Sequence, residues 1–360
     1  MKMRRLHKTE RGFTLAEILV VVAVSAIILI IAYTLVEDAM LTSLFVESHN
    51  QLASLSQRAV NVMLTDVYQA KVIYQNDSSG PGPSFLTLVT AVTGTSGTNS
   101  IAADYQLPQF NSATTLLVPD DSSGSTHYVG NCLLVLRQLP PLLITYNNGT
   151  SNVNFPADVY RLDFFYLTQK TARPFSTGGY SLDLMEFKSV VFADFQQLSN
   201  LPQATVALLY TGTNGTAFPN GFSDYTPAIT TAIDLGGTAA NNSFHTINAN
   251  GSLSAVLSSY ALPAAASLTS LLPELSTGSI SGKMVYSVGY RPTASTTFPV
   301  RDSIPKFGFA LAGKPNYTTG LEVKFVGGGS AQKGIIRLVL LASYGVTKMD
   351  SQEGFVITSG

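Results

Sequence analysis

Hydrophobic and polar positions divide this 360-residue chain into three regimes. Across positions 18–36 no residue is charged. At about 1.5 Å per residue they make a helix of roughly 28 Å, close to the hydrocarbon thickness of a bilayer. Beyond Val36 the apolar density falls but keeps helical spacing. Leu41, Phe45, Leu52, Leu55, Ala59, Val62, Met63 and Val67 recur at intervals of three, four and seven, while Glu47, Asn50, Gln51, Gln57 and Asn61 take other faces. No proline interrupts positions 13–71, so one helix of roughly 60 residues and about 90 Å is expected, with Ser48-His49-Asn50 as a place where it can bend.

The turn-forming run Asn76-Asp77-Ser78-Ser79-Gly80-Pro81-Gly82-Pro83-Ser84 closes this part, and the period then changes to two. Strands are expected at 84–90, 132–137 and 142–146, with Asn147-Asn148-Gly149 as a turn, and again at 159–167 and 181–192. A short helix is expected at 193–201. Residues 211–251 are rich in Gly, Asn, Thr and Ser and read as long loops with short strands. Small residues at 253–260 and 264–272 suggest two more short helices, the second opened by Pro263. Strands return at 283–290, 306–311, 321–326, 335–344 and 355–358. The fold class is α+β: a long N-terminal helix packed on a large, mostly antiparallel β-rich head. The expected divisions are a leader at 1–12, a membrane span at 13–36, an amphipathic spine at 37–72, and a head at 73–360 with a loop-rich insertion near 199–282.

Charge sharpens the reading of the first segment. Lys2, Arg4, Arg5, Lys8 and Arg11 stand against Glu10 before the apolar run, and one carboxylate, Glu17, stands at its entrance. A basic flank beside a membrane span follows the positive-inside rule. A secretory signal peptide has an apolar centre of about 7–15 residues and a small-residue cleavage site. Here the run is longer and is followed by Tyr33-Thr34-Leu35-Val36-Glu37-Asp38. A plain anchor fits the length but explains neither the acid, which is costly in lipid, nor the Gly12-Phe13 junction.

Gly12-Phe13-Thr14-Leu15-Ala16-Glu17-Ile18-Leu19-Val20 closely resembles the N-terminal signature of type IV prepilins and the pseudopilins of type II secretion. The resemblance implies that prepilin peptidase cuts between Gly12 and Phe13, that Phe13 is methylated on its new amine, and that Glu17 matches the family's glutamate in subunit assembly. In a bundle of such helices a buried carboxylate needs a cationic partner or it takes up a proton. The amine of Phe13 on a neighbouring subunit is the candidate, and it exists only after cleavage. The implied partners are the peptidase, membrane lipid before assembly, and other pilin or pseudopilin subunits through the N-terminal helix. The implied location is the bacterial inner membrane, crossed once, with the leader cytoplasmic and the head periplasmic or extracellular, then a pilus or pseudopilus. The large head is similar to those of minor pilins and minor pseudopilins, and residues 56–70 resemble the spine end of that class.

Composition changes this picture little. Residues 1–12 hold five basic residues and one acid, so their removal from 21 Lys+Arg and 22 Asp+Glu leaves 16 against 21, a net charge of −5. No basic patch remains to suggest nucleic acid at the head. Charged residues are 12% of the chain, against about 25% in an average soluble protein. Cys132 is the single cysteine, which excludes an intramolecular disulfide, common near the C-terminus of pilins, and a multi-cysteine metal site; a small buried residue at a strand start is expected.

Candidate chemistry elsewhere is sparse. Gly308-Phe309-Ala310-Leu311-Ala312-Gly313-Lys314 has phosphate-loop spacing, but Pro315 stands where a Ser or Thr should bind magnesium. His7, His49, His127 and His245 form no pair at metal-ligand spacing. Pro119-Asp120-Asp121-Ser122-Ser123-Gly124-Ser125 offers oxygen ligands to calcium but lacks a closing glutamate, and reads as an acidic turn. No catalytic, cofactor-binding or metal residues are expected, and the chain reads as a non-enzymatic structural subunit. The alternative is a permanently anchored binding module; an anchored enzyme, which would need a convergent polar pocket, comes third.

Overall fold

A computed structural model describes residues 13–74, 107–108, 130–174, 179–211, 216–217, 228–235, 243–257, 267–272, 285–288, 290–292, 320–326, 331–344 and 346–359. The expected turn at 76–84 and the strands at 84–90 and 306–311 lie outside the described residues. Contacts divide the chain into two compact units, Met1–Gln51 and Leu52–Gly360.

Helix α1 (Leu15–Tyr68) has 54 residues with neither glycine nor proline among them, so nothing breaks its hydrogen-bond ladder. In the first unit every residue from 13 to 44 is exposed. Leu41, expected on the packing stripe, is 45% exposed, and burial begins at Leu52. From there Leu52, Ala59, Val60, Met63 and Val67 are buried at helical spacing. The helix stops earlier than its apolar period suggests. Gln69 turns directly into β1 (Ala70–Ile73), whose Val72-Ile73 pair favours extended backbone.

β1 pairs antiparallel with β2 (Leu133–Asn147). The two strands expected at 132–137 and 142–146 are one strand. Pro140 and Pro141 lie inside it, and its register against β3 (Asn152–Pro174) shifts between Leu139 and Leu142, where the missing N–H groups interrupt the ladder. At the β2–β3 connection, Asn148 Oδ1 accepts from the backbone N–H groups of Thr150 and Ser151, each at 3.0 Å, and Gly149 has φ 97°. β4 (Gly179–Asp194) completes the centre of the sheet. Its last residue, Asp194, caps α2 (Phe195–Ser199) by accepting from the Gln197 N–H at 3.0 Å. Helix α3 (Gln203–Thr211) follows Pro202, a start signal absent from the sequence reading.

The remaining strands are β5 (Thr216–Ala217), β6 (Thr231–Asp234), β7 (Ser243–Ile247), β8 (Leu253–Leu257), β9 (Ser267–Ser270), β10 (Val285–Val288), β11 (Tyr290–Pro292), β12 (Leu321–Val326), β13 (Ala331–Tyr344) and β14 (Val346–Ser359). β8 and β9 overturn the helices expected at 253–260 and 264–272. Their small residues fit either state, and pairing with β7 and β4 decides for the strand. Among the described residues the main sheet has ten strands, seven of them in the order β1-β2-β3-β4-β6-β7-β8; β9 and β11 pair with β4, and β5 pairs with β2. A second sheet of four strands runs β10-β13-β12, with β14 on β13. Among the described pairs only β4–β6 is parallel, so the fold is α+β and mostly antiparallel, as expected.

Both faces of the main sheet are covered. Leu133, Val135, Phe165, Leu167, Leu182 and Leu184 meet the α1 stripe and the apolar residues of β12 and β13. Cys132, Leu134, Leu136, Tyr160, Leu162, Phe164 and Tyr166 form the opposite core, with Phe164 stacked on Tyr166 at 4.8 Å.

The β7–β8 connection presses its backbone onto α3. Gly251 has φ 80°, and a Cβ there would collide with the Gln203 carbonyl oxygen and stand 2.7 Å from the Ala207 nitrogen. Gly149 has open space around the same position. Gly149→Ala is therefore expected to cost about 1 kcal/mol of backbone strain alone, and Gly251→Ala at least about twice that. Denaturant melts of the full chain in detergent check this; equal losses would contradict the close contact.

Candidate functional site

The first turn of α1 is built by two side chains. The Thr14 backbone N–H donates to Glu17 Oε2 at 2.8 Å, and the Thr14 hydroxyl donates to the same oxygen at 3.0 Å. In return the Glu17 N–H donates to Thr14 Oγ1 at 3.3 Å. This is a reciprocal capping box, with Thr14 at the N-cap and Glu17 at the third helical position. It satisfies backbone donors that the helix start would otherwise leave open, and it places a carboxylate at the positive end of the helix dipole. The Thr14-x-x-Glu17 spacing is the sequence signal for this cap, one that a reading of Glu17 as an isolated acid overlooks.

Phe13 lies just outside the helix and is 79% exposed. Gly12 and the rest of the leader lie outside the described residues. Neither partner in the cap comes from before Thr14, so a cut between Gly12 and Phe13 leaves the first turn intact. Both Thr14 contacts converge on one Glu17 oxygen; Oε1 makes no hydrogen bond among the described residues.

Behind the cap, α1 is the one helix among the described residues long and apolar enough to cross a membrane. Within the apolar run Thr34 turns its hydroxyl back onto the Ile31 carbonyl at 2.9 Å, which removes an open donor that lipid around the segment would leave unsatisfied. Acids resume at Glu37 and Asp38, and no Lys or Arg occurs from position 13 until Arg58. The carboxylate of Glu17 therefore has no cation on its own helix within the apolar run.

Residues 7–33 match the family model described as the prokaryotic N-terminal methylation motif. On this segment the chain is type IV prepilin- and pseudopilin-like, a membrane-anchored class of protein. No curated protein and no solved structure matches the chain.

Other candidate groups do not converge with this site. Cys132 is fully buried at the foot of β2. His49 is exposed on α1. The His245 ring stacks on Phe195 at 3.8 Å, with Nδ1 3.3 Å from the Ser254 carbonyl oxygen. His7, His127, the acidic turn at 119–125 and the glycine-rich run at 308–315 lie outside the described residues. No group of three His, Cys, Asp or Glu side chains that could hold a metal occurs among the described residues. An open groove on α1 is lined by Ser54, Gln57, Arg58, Asn61, Val62 and Thr65; this polar flank of the helix carries no convergent acid–base set.

Replacing Thr14 by valine removes the hydroxyl while keeping the side-chain shape. The Glu17 amide of the Thr14→Val chain is expected to exchange several-fold faster than wild type, on the order of the loss of one cap, with Thr14→Ser restoring the slow rate. Hydrogen exchange on the full chain in micelles reads this directly. An unchanged Glu17 rate in the valine variant would show that the cap does not hold the turn.

Proposed function

We propose that this chain is a structural, non-enzymatic subunit of a type IV pilus or a type II secretion pseudopilus. Prepilin peptidase removes residues 1–12, Phe13 becomes the N-methylated terminus, and α1 leaves lipid to pack against the helices of other subunits. The observation that carries this reading is the methylation motif at 7–33 lying on a helix whose apolar side chains are all exposed from Phe13 to Leu44. A continuous apolar surface of that size needs lipid or other helices around it. The large head favours a minor rather than a major subunit.

Electrostatics supplies the order of events. Before assembly Glu17 lies at the head of the span, near the lipid interface, held by Thr14. Packed among helices it loses water, and an unpaired carboxylate there takes up a proton or opposes packing. The amine of a neighbouring Phe13 supplies the positive charge and a donor for the second carboxylate oxygen. Processing therefore precedes assembly, since the uncut chain has an amide at that position. The basic leader keeps residues 1–12 on the cytoplasmic side, which sends the head to the periplasmic or outer side of the inner membrane.

Mass spectrometry of the protein isolated with its native peptidase active is expected to show Phe13 at the terminus, carrying one methyl group. A retained Met1 would favour a permanently anchored module instead. Glu17→Gln separates the two roles of this side chain, because glutamine still closes the capping box but carries no charge. The expected outcome is normal cleavage with assembled material reduced about tenfold or more, as for loss of a desolvated ion pair. Assembly at the wild-type level would contradict the pairing of Glu17 with the amine.

A further inference from the structure

Near the end of α1 the helix-facing side of the main sheet changes from apolar to charged. Leu133 and Val135 lead to Arg137 on β2, Phe165 leads to Asp163 and Arg161 on β3, and Leu182 and Leu184 lead to Glu186 and Lys188 on β4, since alternate residues share a face. Asp66, in the last turn of α1, joins this group. Asp66, Asp163 and Glu186 are all buried, at 2%, 0% and 5% exposure.

The pairing within the group is uneven. Arg161 holds both oxygens of Asp163, at 2.7 and 3.0 Å. Lys188 Nζ lies 3.0 Å from a single oxygen of Glu186. Arg137 Nη1 gives Asp66 Oδ1 one hydrogen bond at 2.9 Å. Asp66 Oδ2, Glu186 Oε1 and Arg137 Nε are left buried with no hydrogen-bond partner among the described residues. The charges that act on Asp66 are Asp163 and Glu186 against Arg137 and Arg161, with Lys188 held on Glu186. Lys71, the charge on β1, is exposed. On β12 the residues in the core with α1 are Leu321, Val323 and Phe325; Glu322 and Lys324 alternate to the other side.

We propose that Asp66 is a proton-operated latch at the junction of α1 and β1, holding that junction on the sheet when protonated and loosening it when ionised. Ionised, the carboxylate keeps a buried orphan oxygen and opposes two neighbouring carboxylates. Protonated, Oδ2 becomes a donor and the repulsion ends. Burial first, and the charge of Asp163 next, push Asp66 up to about 7 against the pull of Arg137. The direction of the effect follows from linkage. A carboxyl whose folded pKa is raised keeps a proton that the unfolded chain releases, so its stabilisation is complete below about pH 4 and is lost as pH rises through about 7.

Hydrogen exchange of amides 60–73 in the full chain in micelles, expressed as protection relative to intrinsic rates, tests the latch between about pH 5 and about pH 8.5. Wild-type protection is expected to fall about tenfold or more, tenfold being the effect of one unit of pKa difference, while β6 and β7 keep theirs. Asp66→Asn should hold protection flat across the range. Glu186→Gln, which removes one opposing charge, should move the half-point to lower pH. Wild-type protection that does not change with pH overturns the latch, as does a loss in Asp66→Asn equal to wild type. Should the asparagine variant fail to fold, the wild-type series and Glu186→Gln decide by themselves.

Discussion

A carboxylate at the head of an uncharged apolar run is the constraint that organises this protein. Glu17 is tied to Thr14 through one oxygen, and no cation follows on the same helix before Arg58. That arrangement is stable where water or lipid headgroups solvate the free oxygen. It is unstable in a dry helix bundle, where a charge without a partner is costly. The motif at 7–33 supplies a chemical answer in the same few residues, because cleavage before Phe13 would expose an amine beside the carboxylate's own turn. The cap itself lies wholly downstream of the proposed cut, so such a cut would leave the start of the helix intact.

In the head, the end of the same helix meets a different electrostatic problem. Its apolar residues from Leu52 to Val67 share one core with both sheets, and then the face beneath it becomes polar. Three buried acids face two arginines and a lysine, with orphan atoms on Asp66, Glu186 and Arg137. Packing alone would favour apolar residues at these positions. In the proposed latch, their presence couples proton uptake to packing at the junction between helix and strand.

What the sequence revealed was what is decided locally. The membrane-length run, the methylation motif at 7–33 and the long helix each rest on contiguous residues, and Asn147-Asn148-Gly149 announced its turn through side chains that bond neighbouring backbone. Other features depended on distant partners. Leu253–Leu257 and Ser267–Ser270 contain residues that suit helix or strand, and only their neighbours β7 and β4 fix the choice. Two strands are expected at 132–137 and 142–146, yet a register shift lets one strand pass through Pro140-Pro141 between them. The charged group around Asp66 could not be seen in sequence, since its members come from positions 66, 137, 161, 163, 186 and 188 and meet only when three strands align. The capping box was legible from Thr14 and Glu17, and finding it needed attention to their spacing rather than to charge.

The measurement closest to the central claim is the distance between the Phe13 amine nitrogen and the Glu17 carboxyl carbon in assembled material. Chains labelled with a nitrogen isotope at Phe13 would be mixed with chains labelled with a carbon isotope at Glu17 and studied by solid-state dipolar recoupling. The pairing requires a coupling between differently labelled chains at about 3–4 Å, the nitrogen–carbon separation that a charge-assisted hydrogen bond to a carboxylate imposes. Assembled material with no such coupling would contradict it, and would show that Glu17 is neutralised in some other way.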